Sequence, residues 1–262
     1  MSGASIDYAS ANGAATLTIN QPAKMNAMTY DMWCAMPQCI ARAEADPAVR
    51  VIVLTGAGEK AFCAGADISQ FGEKRTGEEA VKAYEAAVTA GMKAISDAKK
   101  PTVARIKGFA FGGGMALAMC TDLRIASDTA KFRIPAARLG LGYTFSNIEA
   151  LVHRIGLGAT SDLLLTARIF DGPEAQRLGI VNKMWPGDVF DAEAGAYTGA
   201  IAGNAPLTLA AVKKALTETG RAHSERDRKA VEDLVAICFA SADYKEGQAA
   251  FKEKRAPVFK GA

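Results

Sequence analysis

Phe109-Ala110-Phe111-Gly112-Gly113-Gly114, running directly into Met115-Ala116-Leu117-Ala118-Met119-Cys120, is the stretch from which the fold can be read. The segment before it, Thr102-Val103-Ala104-Arg105-Ile106, has the β-branched apolar character of a strand. The segment after it is apolar and free of breakers, as a buried helix is. Three consecutive glycines between them let the backbone adopt conformations closed to other residues and let a ligand approach main-chain N–H groups. The following helix directs its positive end at the same place. An anion or oxyanion site is one reading, and a tight strand-to-helix turn is the other.

Upstream, Ala14–Ile19 alternates Thr with Leu and Ile, and Val51–Leu54 is an apolar run closed by Thr55-Gly56-Ala57-Gly58. Both read as strands, and Asp122–Ala126 could be a further one. Thr29 can cap a helix over Tyr30–Ala45 that stops before Asp46-Pro47, and a second helix is expected over Glu78–Ala98, ahead of Lys99-Lys100-Pro101. Strands separated by helices of this length imply an α/β domain whose strand order periodicity cannot supply. From about Thr144 the pattern turns helical, with segments expected at 148–155, 159–165, 173–178, 206–219, 225–240 and 243–254. No low-complexity run or strong sequence repeat interrupts the chain.

The chain has 262 residues, half of them hydrophobic, enough for a substantial core. A net charge of +3 with 23% charged residues lacks the basic balance of a nucleic-acid binder. Five cysteines, at 34, 39, 63, 120 and 238, leave an odd one out and show no C-x-x-C pair, which argues against a disulfide framework or a zinc site. The opening Met1-Ser2-Gly3-Ala4-Ser5 has no basic, apolar leader, and no stretch approaches the ~20 apolar residues of a membrane span. The expectation is a cytoplasmic protein, without nucleic-acid or membrane partners.

A second segment, Lys60-Ala61-Phe62-Cys63-Ala64-Gly65-Ala66-Asp67-Ile68, again surrounds its backbone with small residues. One N–H from this loop would complete a two-donor hole for a thioester oxygen. Otherwise it is a solvent loop with Asp67 capping the next helix. Taken together with Met25-Asn26-Ala27, Gly112–Gly114 with Asp122, Leu163–Ala175, Gly179-Ile180-Val181 and the tail from Asp243 to Arg255, the chain resembles the enoyl-CoA hydratase/isomerase (crotonase) family over nearly its whole length.

The resemblance implies an α/β fold of repeated ββα spiral turns over residues 1–200, holding the acyl-CoA site. A helical C-terminal trimerisation region over 201–262 follows, the whole assembled as a homotrimer or a dimer of trimers. It implies an acyl-CoA thioester substrate, with CoA part of the substrate and no separate cofactor or metal. The N–H groups of Ala64 and Gly113 would form the oxyanion hole. Ala64, Gly65, Ala66, Asp67 and Ile68 would line the adenine and pantetheine path with Lys24 and Ala27 nearby, beside Gly112. Lys254 would meet the CoA phosphates across a subunit boundary, or else is solvated.

The pattern breaks where hydratases of the family carry two glutamates. Those positions hold Ala116 and Ala136, and Thr144 replaces a glycine beside the catalytic water. Hydration needs a base for the water proton and an acid for the α-carbon, roles methyl groups cannot fill. Leu139-Gly140-Leu141-Gly142-Tyr143 resembles the methylmalonyl-CoA decarboxylase branch, where a tyrosine at the Tyr143 position helps hold the carboxylate, although that branch has a glutamate at Ala116. Tyr143 could equally be a pocket-lining aromatic. Enolate formation by decarboxylation, or a related C–C or thioester cleavage, is therefore favoured over ordinary hydration. The alternatives are a true hydratase or isomerase with a relocated acid or base, from Glu149 or from residues 71–85, and a non-catalytic acyl-CoA binder. Asp122, His153 and His223 read as structural, and Cys63 reads as a packing residue.

Overall fold

The structure, a computed structural model, describes residues 3–70, 72 and 76–262, with Ser146 described by its backbone alone. β1 (Ser5–Ala11) and β2 (Ala14–Asn20) form an antiparallel hairpin whose two turn residues, Asn12 and Gly13, have φ of 51° and 78°. This left-handed pair is the turn that matches strand twist, and Asn-Gly is its preferred sequence. β1 was not anticipated, because its residues are mostly half-buried or exposed and lack a clean alternation. β2 does alternate, with Ala15, Leu17 and Ile19 fully buried.

α1 (Tyr30–Ala45) starts where Thr29 Oγ1 accepts the Met32 N–H at 3.2 Å, the cap expected of it. β3 (Val51–Gly56), β4 (Ala61–Cys63) and α2 (Glu78–Ser96) follow. β5 (Thr102–Ile106), β6 (Phe109–Phe111) and α3 (Gly113–Met119) come next, then β7 (Leu123–Ser127), β8 (Lys131–Arg133) and α4 (Phe145–Thr166). β3, β5 and β7 stand side by side and parallel in a six-stranded sheet, while β4, β6 and β8 are neighbours in a four-stranded one. Each ββα unit thus places its first strand in the large sheet and its second in the small one, and the chain winds as a spiral.

β9 (Phe170–Asp171) closes the small sheet against β8, and after α5 (Gly172–Arg177) β10 (Lys183–Trp185) closes the large one against β7. These two strands interrupt the stretch expected to be helical; at two and three residues they are too short to show a period. α4 joins the two helices expected at 148–155 and 159–165 through Gly156, a non-helical residue at φ 78°. α6 (Phe190–Ala202) went unread, and the boundary expected at residues 200/201 falls inside it. The break between elements comes instead at residues 203–205, before α7 (Pro206–Thr219).

The main core lies under α1 to α4, with Trp33, Phe62, Phe132, Leu17 and Met36 fully enclosed. Each such side chain contributes roughly 1.5–3 kcal/mol of transfer free energy. α7 is bolted to this body by Lys213, whose ammonium is buried and meets Asp122 Oδ2 at 2.8 Å and the Lys100 carbonyl at 2.9 Å. Asp122 also accepts from the Thr102 N–H and hydroxyl, at 2.7 and 2.9 Å, so it ties three elements together. α8 (Arg228–Ala240) and α9 (Ala242–Glu253) complete the chain. Among the described residues no helix is long and apolar enough to cross a membrane.

Candidate active site

β6 delivers the chain to Gly112, which takes φ 53° and ψ −117°, a conformation a β-carbon disfavours. Its N–H donates to the Arg133 carbonyl at 2.9 Å, which pins the turn to β8. α3 begins at the next residue. Pro135, one residue before Ala136, packs its ring 3.6 Å from where a Gly112 β-carbon would stand. The first alanine of the missing pair, Ala116, sits one turn into α3, and the second, Ala136, opens a 3-10 turn beside the glycines.

The second wall is the loop after β4. It is held from behind by Asn26, fully buried, whose amide donates to the carbonyls of Ala57 and Ala61 at 2.9 and 2.6 Å. Here the structure corrects the expected pair of amides. The Ala64 N–H donates to the Met25 carbonyl at 3.0 Å and so cannot serve a ligand. Ala66, two residues on, forms an isolated parallel bridge with Met28, in which Met28 makes both bonds, donating to Gly65 O and accepting from Asp67 N. In that pattern the N–H of Ala66 itself faces the opposite side.

That side is the glycine turn. A β-carbon on Gly113 would lie 3.7 Å from Ala66 N, and one on Gly65 would lie 3.3 Å from Gly113 N. Covalent geometry then places the two nitrogens within about 6 Å of each other. Donors each ~2.9 Å from one shared oxygen are at most ~5.8 Å apart, so the separation suits a common acceptor. Neither the Ala66 nor the Gly113 N–H is donated to an acceptor among the described residues.

A cavity of about 120 Å³ lies between α2, α3 and α4, lined among others by Met92, Met115, Ala116, Ile134, Tyr143 and Leu151, so that the first turn of α3 after Gly113 forms part of its wall. Ala116 and Tyr143, paired on sequence grounds, thus share one space. Burial, and then the neighbouring Cys120, push the Tyr143 phenol above its ordinary value, so it stays a neutral donor at neutral pH. Ser96, Cys120, Asn147 and Arg154 also line the cavity. None of the four was picked out in the sequence; the signal was there for two, since 143, 147 and 154 recur on one face of a helix.

The remaining candidates fall into place as supports or stand apart. Asp67 is 4% exposed and accepts from Lys24 Nζ (2.9 Å), Gln21 Nε2 (3.3 Å), Ser69 N (3.1 Å) and Ser69 Oγ (2.7 Å). Burial alone would raise its pKa, but the Lys24 and Ser69 hydrogen bonds outweigh it and hold the carboxyl below its ordinary value. Asp67 and Lys24 therefore latch the loop to the Met25 turn. Ala27 is buried beneath it, and Ile68 is 75% exposed. Thr144 caps α4 through a 3.4 Å bond from Asn147 N, and Ala136 accepts the Leu139 and Leu141 N–H groups; neither lines the cavity. Lys254 ends α9 in a left-handed conformation, exposed and away from the cavity lining.

Cys63 is fully buried and burial pushes its thiol up to about 12, the behaviour of a packing residue. Glu149 is exposed and off the lining face, and so are Glu78, Glu79 and Glu85. Of the 71–85 stretch, Phe71 and residues 73–75 lie outside the described residues. The two histidines are exposed.

The chain matches the family model described as enoyl-CoA hydratase/isomerase over residues 9–262. It is 36% identical over 245 residues to a crotonyl-CoA hydratase of Syntrophomonas wolfei, covering 94% of each chain. To a carnitinyl-CoA dehydratase of Proteus mirabilis it is 35% identical, with 91% of this chain and 92% of the other covered. An enoyl-CoA hydratase/carnithine racemase structure from Magnetospirillum magneticum superposes with a TM-score of 0.92 at 32% identity, over 98% of this chain and 96% of that one. With the ββα spiral, the glycine turn and the opposed Ala66 amide already in view, the protein belongs to the enoyl-CoA hydratase/isomerase family.

Proposed function

We propose that the protein binds an acyl-CoA thioester with its carbonyl oxygen between the N–H groups of Ala66 and Gly113, and stabilises the enolate form of that thioester. The single observation that carries this reading is the pair of opposed amides that donate to no acceptor among the described residues. Preorganised donors aimed where charge develops do most to lower the barrier in reactions of this kind, and removing one typically costs ~10²–10³ in rate. With methyl groups at 116 and 136, the reaction is one whose barrier is mainly the enolate, loss of CO2 from a malonyl-type thioester or a related C–C cleavage; in a thioester cleavage the same amides would instead hold the tetrahedral oxyanion. Tyr143, neutral and inside the cavity, would orient the substrate.

Incubating the protein with malonyl-CoA and methylmalonyl-CoA while following CO2, and separately with crotonyl-CoA while following loss of the enoyl absorbance, tests the assignment. Release of CO2 without hydration supports it. Rapid hydration with no CO2 release would establish the second reading, a hydratase with its acid and base elsewhere, which the names of the relatives favour.

Assembly belongs to the same proposal. α7, α8 and α9 leave an apolar cleft of about 700 Å³ lined by Val212, Val235, Phe239, Tyr244 and Phe251, with Phe251 86% exposed. A face of this kind suits self-association into the trimer that the family resemblance implies, with Lys254 brought to a neighbour's CoA. Light scattering that returned a monomer at micromolar concentration would remove it.

A further inference from the structure

We infer that the acyl group taken by this cavity carries a second, anionic terminus, a carboxylate on the chain end remote from the thioester, and that Arg154 receives it with Asn147 beside it. The inference rests on the thioester reading above and names its substrate class.

Arg154 is the one charged side chain among the described residues that line the cavity. The other walls are methionines, Ile134, Leu151 and alanines, with Ser96, Cys120, Tyr143 and Asn147 as the polar points. Arg154 is exposed on the side of this cavity, no ion pair or hydrogen bond of its guanidinium is seen among the described residues, and no carboxylate lines the space.

Its place along the cavity follows from the helices. From Gly113, which holds one amide, α3 runs seven residues to its cap at Cys120, a rise of about 10 Å. Arg154 is close enough to act electrostatically on Cys120 and on Arg124, so it stands at the end away from the amides. α4 passes Tyr143, just ahead of its first turn, then Asn147, Ala150, Leu151 and Arg154 along the same wall.

A second cation sharpens the case. Arg124 is 4% exposed, and its guanidinium donates to the carbonyls of Ile180 (2.5 Å), Thr121 (2.8 Å) and Asp122 (3.4 Å) and to Asn182 Oδ1 (3.3 Å), with no carboxylate in contact among the described residues. Burial first, and then the charge of Arg154, pull its pKa down to about 10. The exposed Arg154 and the buried Arg124 behind it repel each other, and a buried charge without a counterion is costly. An anionic chain end would relieve both. An alkyl chain of equal length would instead cover Arg154 without giving it a partner.

The carboxylate bound there is not one that leaves as CO2, because a guanidinium fork stabilises the anion and so opposes its loss. It is the acid that the product keeps.

Calorimetric titration of the full chain with matched pairs, succinyl-CoA against butyryl-CoA and glutaryl-CoA against valeryl-CoA, tests this. The expected result is that at least one diacid thioester binds roughly ten- to hundredfold more tightly than its alkyl partner. Arg154→Gln should bring that ratio near one. Arg154→Lys should retain part of it, since the charge survives and the fork does not. Melting temperatures of both variants near the wild type establish that they fold. Equal or tighter binding of the alkyl esters by the wild type overturns the inference and leaves the thioester reading intact, as does a ratio that persists in Arg154→Gln. Failure of every ester to bind overturns both.

Discussion

Replacing Gly114 by alanine probes the joint between the two walls of the site. A β-carbon there would lie 2.0 Å from the Cys63 carbonyl oxygen, 2.7 Å from Cys63 C and 2.8 Å from Cys63 Cβ. Real β-carbons essentially never approach closer than 3.0 Å, so the end of β4 and the start of α3 must separate by about 1 Å. Both are backbone, and they carry the Ala66 and Gly113 amides respectively. Overpacking of this kind costs about 1–3 kcal/mol, which in a chain of this size lowers the melting temperature by roughly 3–10 °C. A 1 Å shift of a catalytic group can cost ~10²-fold in turnover. Gly113→Ala is the matched control: its β-carbon would meet Gly65 Cα at 3.5 Å and Ala66 N at 3.7 Å, ordinary contacts. That variant should melt within a degree or two of wild type and still lose thioester turnover, because its methyl group stands where the oxygen must sit. Scanning calorimetry and a thioester assay on both variants decide the matter. A Gly114→Ala protein with wild-type melting and rate would refute the packing on which the site depends.

Asp67→Asn should cost about 1–2 kcal/mol at neutral pH by removing the charge-assisted bonds from Lys24 and Ser69. Because the folded carboxyl titrates below its unfolded value of ~3.9, this stability is fully present above that value and is lost as pH falls through the folded pKa. Chemical denaturation from pH 7 down to pH 3 should therefore show the variant and the wild type converging in acid; a constant gap would contradict the latch. Native labelling with a thiol reagent at pH 8 should modify the exposed Cys34 first and leave Cys63 untouched until denaturant is added, and early loss of Cys63 would revive it as a nucleophile. Tyr143→Phe should slow turnover about fivefold, the worth of one neutral hydrogen bond, with a smaller change in thioester affinity, and the wild-type rate should show no basic limb from this phenol below pH 10.

The framework of the fold was legible where local chemistry acts alone. Thr29 followed by an apolar-periodic run gave α1 its bounds, and β5 matches its expected span because Pro101 and Gly108 bracket it. α6 was missed since its buried positions, Phe190, Ala194 and Thr198, are spaced by a helical turn in a segment of small residues that show little contrast. The exchange of Ala64 for Ala66 has a sharper cause. The sequence Ala64-Gly65-Ala66 is symmetric about its glycine, so residue type cannot say which flanking amide is free. The answer lies in long-range pairing: Met25 takes the amide of Ala64, while Met28 bonds to the neighbours of Ala66 and leaves its N–H on the far side. The cavity wall formed by the exposed Asn147, Ala150 and Arg154 was hidden in the same way, since only the placement of α4 beside α3 decides which stripe of that helix borders the cavity.

Ala116 also bears on the electrostatics of the cavity it lines. A glutamate at position 116 would place a carboxylate in the same cavity as Arg154 and Tyr143, where its charge would offset that of Arg154. With Ala116, Arg154 is the one charged side chain on the lining among the described residues, and Arg124 stands buried behind it. A unit charge about 10 Å from a developing enolate, at an effective dielectric of ~20, lowers its energy by roughly 1–2 kcal/mol, less for the solvent-accessible Arg154 in physiological salt and least once Arg154 is paired with a chain-end carboxylate. That contribution adds to the two amides and acts on the same negative charge. On the reading proposed above, methyl groups at 116 and 136 together with two free amides suit an enolate-forming cleavage, which needs the anion stabilised, whereas a hydration needs in addition side chains that move protons.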